Sequence, residues 1–242
     1  MTQPFVRTKA CEAVADHILR LLFDGSLRSG DRIDLDGIAQ ALGVSRVPVR
    51  EGLMQLERDG LVHLPHYRGA FVADFDADTV HEAFELYGLL SALTNQRAAT
   101  RRDVAVLEAL GKVDDALAHC DDVAEFERLA REFRRIVNVS ASGNHLRALL
   151  RTFGGLVPAA ARFAIEDALA AERKALHREY LAIRRGDPDG AGRAAIDHIR
   201  LTAINAVRAL RRRGVFAHGG TTPRPATGDL MGLLDRREGG RR

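Results

Sequence analysis

The chain has 242 residues, 46% of them hydrophobic and 29% charged, and its formal net charge at pH 7 is +3. This length allows two domains of ordinary size, and the sequence has no apolar run of the roughly 18 residues that a membrane-spanning helix requires. Two cysteines, Cys11 and Cys120, lie far apart without metal-ligand spacing, which argues against a disulfide framework. Because the first residues also lack a charged-then-apolar signal pattern, we expect a cytoplasmic protein with no membrane partner.

The first strong pattern runs from Gly30 to Val72 and is typical of a winged helix-turn-helix. Apolar side chains recur at helical spacing before Gly43, which stands where a left-handed residue commonly ends a helix. A second helix is predicted to begin after Ser45, a favourable N-cap, with Pro48 in its first turn. Two apolar segments on either side of residues 65–69 predict a β-hairpin. Elements in this order place one helix in the major groove of DNA.

Two arginines stand at the start of that second helix. Arg46 and Arg50 are four residues apart and therefore share one helical face. Arginines there can fork onto guanine or clamp a phosphate, and Arg68 at the hairpin tip can enter the minor groove or contact phosphate. Since single arginines are more often solvated surface charges, the prediction depends on the ordered set. The predicted DNA-binding residues are Ser45, Arg46, Pro48, Arg50, Arg68 and Gly69.

The overall charge of this segment cannot supply the attraction to DNA. Up to Val72, the basic side chains are equal in number to the acidic ones. We therefore expect a local basic face, with the carboxylates turned elsewhere.

Four segments of this region form one recognisable set: Gly-Ser-Leu-Arg-Ser-Gly-Asp (25–31), Gly-Val-Ser-Arg-Val-Pro-Val-Arg-Glu-Gly-Leu (43–53), Leu-Glu-Arg-Asp-Gly-Leu-Val (56–62) and Arg-Gly-Ala-Phe-Val (68–72). This set resembles the N-terminal domain of GntR-family bacterial transcriptional regulators. One departure is Gly52, where the family usually has alanine. Glycine inside a helix costs roughly 0.5–1 kcal/mol relative to alanine, so we expect a less stable recognition helix.

The remainder of the chain has a helical pattern from Ala77 to Arg213. The predicted breaks lie near residues 100–103, 119–122, 142–144, 165–167 and 186–190. They predict about six helices in an antiparallel bundle, and hence a mainly α protein. The composition of the last residues predicts a disordered tail. The predicted domains are 1–75 for DNA binding, 76–215 for effector binding and dimerisation, and 216–242 for the tail.

The helical half resembles the C-terminal ligand-binding (FCD) domain of the FadR-like branch of the same family. The residues that carry this resemblance are Phe133, Ala141-Ser142-Gly143-Asn144, His177, Gly186-Asp187 and His198. In many members, this domain holds a divalent metal through an aspartate, a histidine four residues later and two histidines of the last helices. His177 and His198 match the last two ligands, but Ala130 and Arg134 stand in place of the first two.

The resemblance therefore implies a pocket without a metal. A guanidinium cannot donate a lone pair, so Ala130 and Arg134 disfavour a divalent metal, and no cofactor is expected; a metal on His177 and His198 is the weaker alternative. Arg134 is instead expected to bind a carboxylate effector directly. Three alternatives stay open: Arg134 pairs with a nearby acid, it extends outward to solvent, or the domain has no ligand. The predicted effector-binding residues are Arg134, His177, His198 and Asn144.

Together these patterns predict a DNA-binding transcriptional regulator and not an enzyme. The resemblance implies a repressor that binds an inverted-repeat operator as a homodimer and responds to a small organic anion. Two alternatives stay open: a constitutive DNA binder whose helical domain only dimerises, and a metal-dependent enzyme on a helical bundle. The second is weaker because no catalytic constellation is evident.

Overall fold

The computed structural model describes residues 4–66, 68–74 and 76–216, so that nearly all of the predicted tail lies outside the described residues. The contacts within the chain define two compact units. The first contains the described residues up to Thr79 and those from Arg208 onward, and the second runs from Val80 to Val207. The predicted mainly α fold, with a winged helix-turn-helix followed by a helical bundle, is confirmed.

The first unit combines three helices with a small sheet. In chain order, its elements are α1 (Pro4–Phe23), β1 (Arg32–Ile33), α2 (Leu35–Leu42), α3 (Arg46–Arg58), β2 (Val62–His63) and β3 (Ala70–Val72). The sheet is antiparallel in the order β1-β3-β2, with Val62 opposite Val72 and Arg32 opposite Phe71. The predicted hairpin is therefore present, with its second strand at the predicted residues 70–72 and its first strand shortened from residues 61–64 to Val62–His63. The sheet gains β1, which the sequence pattern did not predict.

The turn between α2 and α3 follows the predicted local chemistry, with one exception. Asp34 caps α2 by accepting hydrogen bonds from the backbone N–H groups of Asp36 and Gly37. Gly43 adopts φ +62°, the left-handed conformation that lets the chain leave α2 without a steric cost. Ser45 holds the N-cap position of α3 with extended backbone angles, but its side chain makes no capping hydrogen bond.

Gly52 lies where α1 and α3 approach each other closely. A Cβ atom at this position would lie 2.8 Å from Cγ1 of Val14 and 2.9 Å from the backbone carbonyl oxygen of Cys11. Contacts below 3.0 Å to a backbone atom require the backbone to move. The glycine thus permits close helix packing, which gives a physical reason for the departure from alanine.

The second unit is built from the helices α4 (Ala77–Arg101), α5 (Val104–Ala118), α6 (Val123–Ala141), α7 (Asn144–Thr152), α8 (Leu156–Arg185) and α9 (Pro188–Arg212), of which the first and last extend slightly beyond it. Its apolar core includes Leu110, Phe126, Phe133, Leu176 and Ile183, all almost fully buried. The break predicted near residues 165–167 corresponds to a kink in α8 at Ala168, whose backbone angles (φ −144°, ψ 35°) are not helical. The chain also breaks after α7, which the sequence pattern did not predict.

No single helix among the described residues is long and apolar enough to cross a membrane, and one bent pair, Asn144–Thr152 with Leu156–Arg185, meets the criteria of length and composition jointly.

Candidate functional sites

Helix α3 buries one face and exposes the other. Val49, Leu53 and Leu56 are at most 1% exposed and pack into the first unit. The opposite face presents Arg46 and Arg50 to solvent. The two predicted arginines therefore do share an accessible face that begins at the helix N-terminus.

This face borders a groove of about 920 Å³ between α3, β1 and the β-hairpin. Six charged side chains contribute to its lining: Arg32, Arg46 and Arg50, and Asp34, Asp36 and Glu57. The expectation that the carboxylates are turned elsewhere is thus wrong, because equal numbers of basic and acidic residues line the same groove. Helix geometry explains this, since Asp34 must cap α2 and Asp36 occupies the first turn of the same helix.

Asp36 forms a bidentate ion pair with Arg46 on the exposed face. Nε of Arg46 donates to Oδ1 at 2.7 Å, and Nη2 donates to Oδ2 at 2.8 Å. The two side chains are 75% and 68% exposed, respectively. Arg46 therefore reaches the predicted surface with a carboxylate already bound to one edge of its guanidinium.

The other predicted DNA-binding residues divide into exposed and buried groups. Ser45, Arg68 and Gly69 are exposed, and Gly69 lies beside the guanidinium of Arg32 at the edge of the groove. Pro48 is buried in the first turn of α3. Its predicted role as a DNA contact is therefore corrected to that of a helix-initiating residue.

A buried polar network lies inside the second unit, where α6, α8 and α9 meet. Arg134 of α6 donates from Nη1 to Oε2 of Glu179 at 2.6 Å and from Nη2 to Oε1 of the same carboxylate. His198 of α9 contacts Glu179 through Nδ1 at 2.5 Å and Glu172 through Nε2 at 2.9 Å. Thr202 completes the network by donating to Glu172 at 2.8 Å.

The hydrogen bonds of this network indicate a protonated His198. Each ring nitrogen faces a carboxylate, and both can donate only when the imidazole is doubly protonated. Burial by itself lowers the pKa of His198, but the hydrogen bonds to Glu172 and Glu179 outweigh it and raise the pKa. The contact between Arg134 and Nδ1 of His198 is then an approach of two cations, which Glu179 compensates because it binds both.

The ionisation of Glu179 completes the charge balance. Burial raises the pKa of this carboxyl, but the adjacent Arg134 outweighs burial, and the resulting pKa lies below the ordinary value. Two cations and two carboxylates then form a neutral cluster. The alternative in which Arg134 pairs with a nearby acid is the arrangement observed.

Two predicted members of the pocket lie outside this network. The side chain of His177 is 52% exposed and hydrogen bonds to Asp114 of α5 at 2.9 Å. Asn144 is exposed as the first residue of α7. The expectation that Arg134, His177 and His198 converge is therefore corrected to a cluster of Arg134 and His198 with Glu172 and Glu179.

The sequence carried a signal for the two missed carboxylates. Glu172 and Glu179 lie two turns apart and hence on one face of α8, and His198 and Thr202 lie one turn apart on α9. This signal is weak, because both helices carry many other charged residues and the spacing alone does not mark these pairs as buried.

This donor set does not fit a divalent metal. Both ring nitrogens of His198 are engaged by carboxylates, and the guanidinium of Arg134 occupies Glu179. In the part of the chain that the structure describes, no group of three or more histidine, cysteine or acidic side chains is arranged to hold a metal ion.

Comparisons with known proteins agree with this architecture. The family model described as bacterial regulatory proteins, gntR family, matches residues 10–72. An uncharacterized HTH-type transcriptional regulator of Mycobacterium tuberculosis is 36% identical over 226 residues, which cover 93% of each chain. The crystal structure of a putative transcriptional regulator GntR from Rhodococcus sp. RHA1 is 23% identical and has a TM-score of 0.56, with 82% of this chain and 98% of that chain covered.

A second solved structure shares the fold at lower identity. McbR/YncC of E. coli is 17% identical, with 88% of this chain and 100% of that chain covered and a TM-score of 0.56. The curated relatives are transcriptional regulators and not enzymes, in agreement with the absence of a catalytic constellation from the sequence pattern.

Proposed function

Because the chain belongs to the GntR family of bacterial DNA-binding transcriptional regulators, we propose that it is a repressor that binds an inverted-repeat operator as a homodimer and responds to a small organic anion. The observation that carries sequence-specific binding is the exposed pair of arginines, Arg46 and Arg50, at the N-terminal end of α3. Side chains at this end of a recognition helix are the ones that reach base edges in the major groove.

Dimerisation follows from the size of the reading surface. One recognition helix contacts only a few base pairs, so a specific site requires two half-sites related by the symmetry of a dimer. Helix α4 supports a role in this contact, because Leu86 and Leu93 are exposed on it and are seven residues apart, on one face. Light scattering that gives a monomer both free and on DNA would contradict the dimer.

The buried network supports the proposed effector chemistry. Glu179 already shows how Arg134 holds a carboxylate, with two parallel hydrogen bonds. We propose that an organic anion takes the place of this internal carboxylate and thereby releases α8 from α6. Release of α8 would shift the bundle between two packing states, and this shift would change the affinity for DNA.

A constitutive DNA binder is the second candidate, and one observation favours it. Every charge of the network has a partner of the opposite sign within the bundle. Such a charge-balanced cluster holds the helices together without any ligand, although Oε1 of Glu172 is buried without a hydrogen-bond partner among the described residues.

Substitution of Arg50 by alanine tests the DNA-binding surface. The variant Arg50→Ala should lose about 1–3 kcal/mol of specific binding, because a base contact or a close phosphate contact disappears. Fluorescence anisotropy with a duplex selected from a random pool measures the loss at fixed salt. Arg58→Ala is the matched control, since Arg58 is also exposed but stands in the last turn of α3. Equal affinity of Arg50→Ala and the wild type would remove Arg50 from the interface.

A thermal-shift screen with mono- and dicarboxylates separates the two candidates. An organic-anion effector should raise the melting temperature of the wild type and weaken its binding to the selected duplex. The variant Glu179→Gln should bind the same anion more tightly, because the competing internal carboxylate is neutralised. A panel without effect on either protein supports the constitutive binder.

A further inference from the structure

We propose that Asp36 is a specificity-determining residue of the DNA-binding surface: its carboxylate fixes the guanidinium of Arg46 in the orientation that reads a guanine. The inference rests on the proposed sequence-specific function. It differs from that function in assigning base recognition to a carboxylate that does not itself need to touch DNA.

The N–H donors of the Arg46 guanidinium have the geometry that this role requires. A guanidinium carries five N–H donors in one plane. Asp36 occupies the edge formed by Nε and one N–H of Nη2. The remaining edge, formed by Nη1 and the second N–H of Nη2, points away from Asp36 with two parallel donors. This is the pair that fits the O6 and N7 acceptors of guanine in the major groove.

The position of Asp36 in α2 also suits this role. It is the second residue of α2, and its backbone N–H donates to the capping carboxylate of Asp34 at 3.2 Å. A carboxylate in the first helical turn is stabilised by the helix dipole. The backbone of Asp36 is therefore fixed by α2 independently of Arg46, and it places the carboxylate within reach of the long arginine side chain.

The ion pair of Arg46 and Asp36 contributes little to folding. Both side chains are mostly exposed, and exposed ion pairs of this kind contribute very little to stability. What the contact changes is the behaviour of Arg46. An unrestrained arginine turns readily to the nearest phosphate, which adds affinity for any sequence. An arginine held by Asp36 loses less conformational freedom when it meets a base.

The charges that line the groove also favour specificity over affinity. The acidic side chains that line it match the basic ones in number, so the groove attracts phosphate weakly. Asp36 adds to this effect because it neutralises Arg46 towards the DNA backbone. The arrangement lowers the affinity for non-specific DNA and increases the difference in affinity between the operator and other sequences.

The test is a selection of binding sites from a random duplex pool, done with the wild type and with Asp36→Ala. The selected duplex and a scrambled duplex are then titrated with each protein at several salt concentrations. The wild type should select a guanine at one position of each half-site. Asp36→Ala should lose this preference and bind the scrambled duplex more tightly. The affinity ratio of selected to scrambled duplex should fall by about 5-fold to 150-fold, as expected for one bidentate base contact.

Two further measurements identify the mechanism. The slope of log affinity against log salt should become steeper by about one unit for Asp36→Ala on the selected duplex, because Arg46 turns to a phosphate. In the Arg46→Ala background, the same substitution should leave the ratio unchanged, since the residue that Asp36 supports is absent.

Glu12→Ala is the matched control for charge. Glu12 is exposed on α1, the helix that packs on the buried side of α3 at Gly52. Its removal should leave base preference unaltered. If Asp36→Ala tightens binding to both duplexes by the same factor and keeps the guanine, Asp36 is only a repelling charge and the proposal is overturned. If the wild type enriches no sequence at all, sequence-specific binding itself is refuted, and the proposal fails with it.

Discussion

Two arginine–carboxylate pairs in this protein have the same chemistry and opposite surroundings. Arg46 and Asp36 meet on the exposed face of the first unit, with 75% and 68% of their side chains accessible. Arg134 and Glu179 meet inside the second unit, where the corresponding values are 13% and 0%. Both pairs are bidentate. The surroundings, rather than the pair itself, therefore decide how much it costs to separate an arginine from its carboxylate.

The difference in solvent exposure determines how much each pair contributes to the free energy of folding. An exposed pair is worth about 0–1 kcal/mol, because water already satisfies both charges. A buried pair gains little relative to apolar residues, but breaking it leaves an unpaired charge and costs about 3–5 kcal/mol. The exposed pair therefore contributes little to the free energy of folding, whereas a ligand that displaces Glu179 from Arg134 must offset the cost of breaking the buried pair.

The largest expected effect is the loss of one partner of the buried pair. Glu179→Ala should lower the free energy of unfolding by about 3–5 kcal/mol, and Asp36→Ala, its exposed counterpart, by no more than about 1 kcal/mol. Urea denaturation of the two variants measures both values. Equal losses would break the comparison.

A double replacement sharpens the same result. Arg134→Met together with Glu179→Leu removes one cation and one carboxylate. It should recover part of the stability that Glu179→Ala loses, since the cluster stays neutral although Nδ1 of His198 loses its acceptor. A double variant as unstable as Glu179→Ala would mean that the packing of the two side chains, rather than their charges, accounts for the stability.

The next effect concerns the packing of α3, the helix that carries Arg46. Gly52→Ala should lower the free energy of unfolding by about 1–3 kcal/mol, because the added methyl group meets Val14 and the carbonyl oxygen of Cys11. Helix propensity alone predicts the opposite sign, with a gain of roughly 0.5–1 kcal/mol. Thermal unfolding decides between them, and a more stable Gly52→Ala variant would show that α1 yields to the methyl group.

The smallest effect is a pH dependence in the first unit. Burial raises the pKa of Asp59, at the end of α3, from 3.8 to about 6, and Arg58 lowers it only slightly. Because the folded state holds this proton more tightly, stability should fall as the pH rises from about 4 to about 6. Asp59→Asn should gain about 1 kcal/mol at neutral pH, after allowance for solvent screening, and nothing near pH 4. A constant gain across this range would exclude ionisation as the cause.

Local patterns predicted α2, α3 and their turn well. Apolar spacing, Gly43 and the residues around Ser45 act over a few positions, so the sequence alone is sufficient there. Strand β1 escaped prediction because two residues, Arg32 and Ile33, cannot show an alternating pattern, and their pairing with β3 is decided in three dimensions.

In the functional sites, too, the sequence predicts features that depend on neighbouring residues but not contacts between distant ones. The exposed position of Arg46 and Arg50 follows from helical phase. The partners of Arg46 and Arg134 do not, because Asp36 and Glu179 come from other helices and meet them only after packing. Resemblance placed His177 in the pocket, yet here it hydrogen bonds to Asp114 and remains half exposed.

The neutral cluster of Arg134, His198, Glu172 and Glu179 also constrains how the sequence can diverge. A single change at position 134 or 179 creates an unbalanced buried charge, whereas simultaneous replacement of both restores neutrality. In an alignment of relatives, these two positions should therefore vary as a pair, with arginine and glutamate kept together or lost together. Such paired variation would identify the regulators that fill this site with an internal carboxylate.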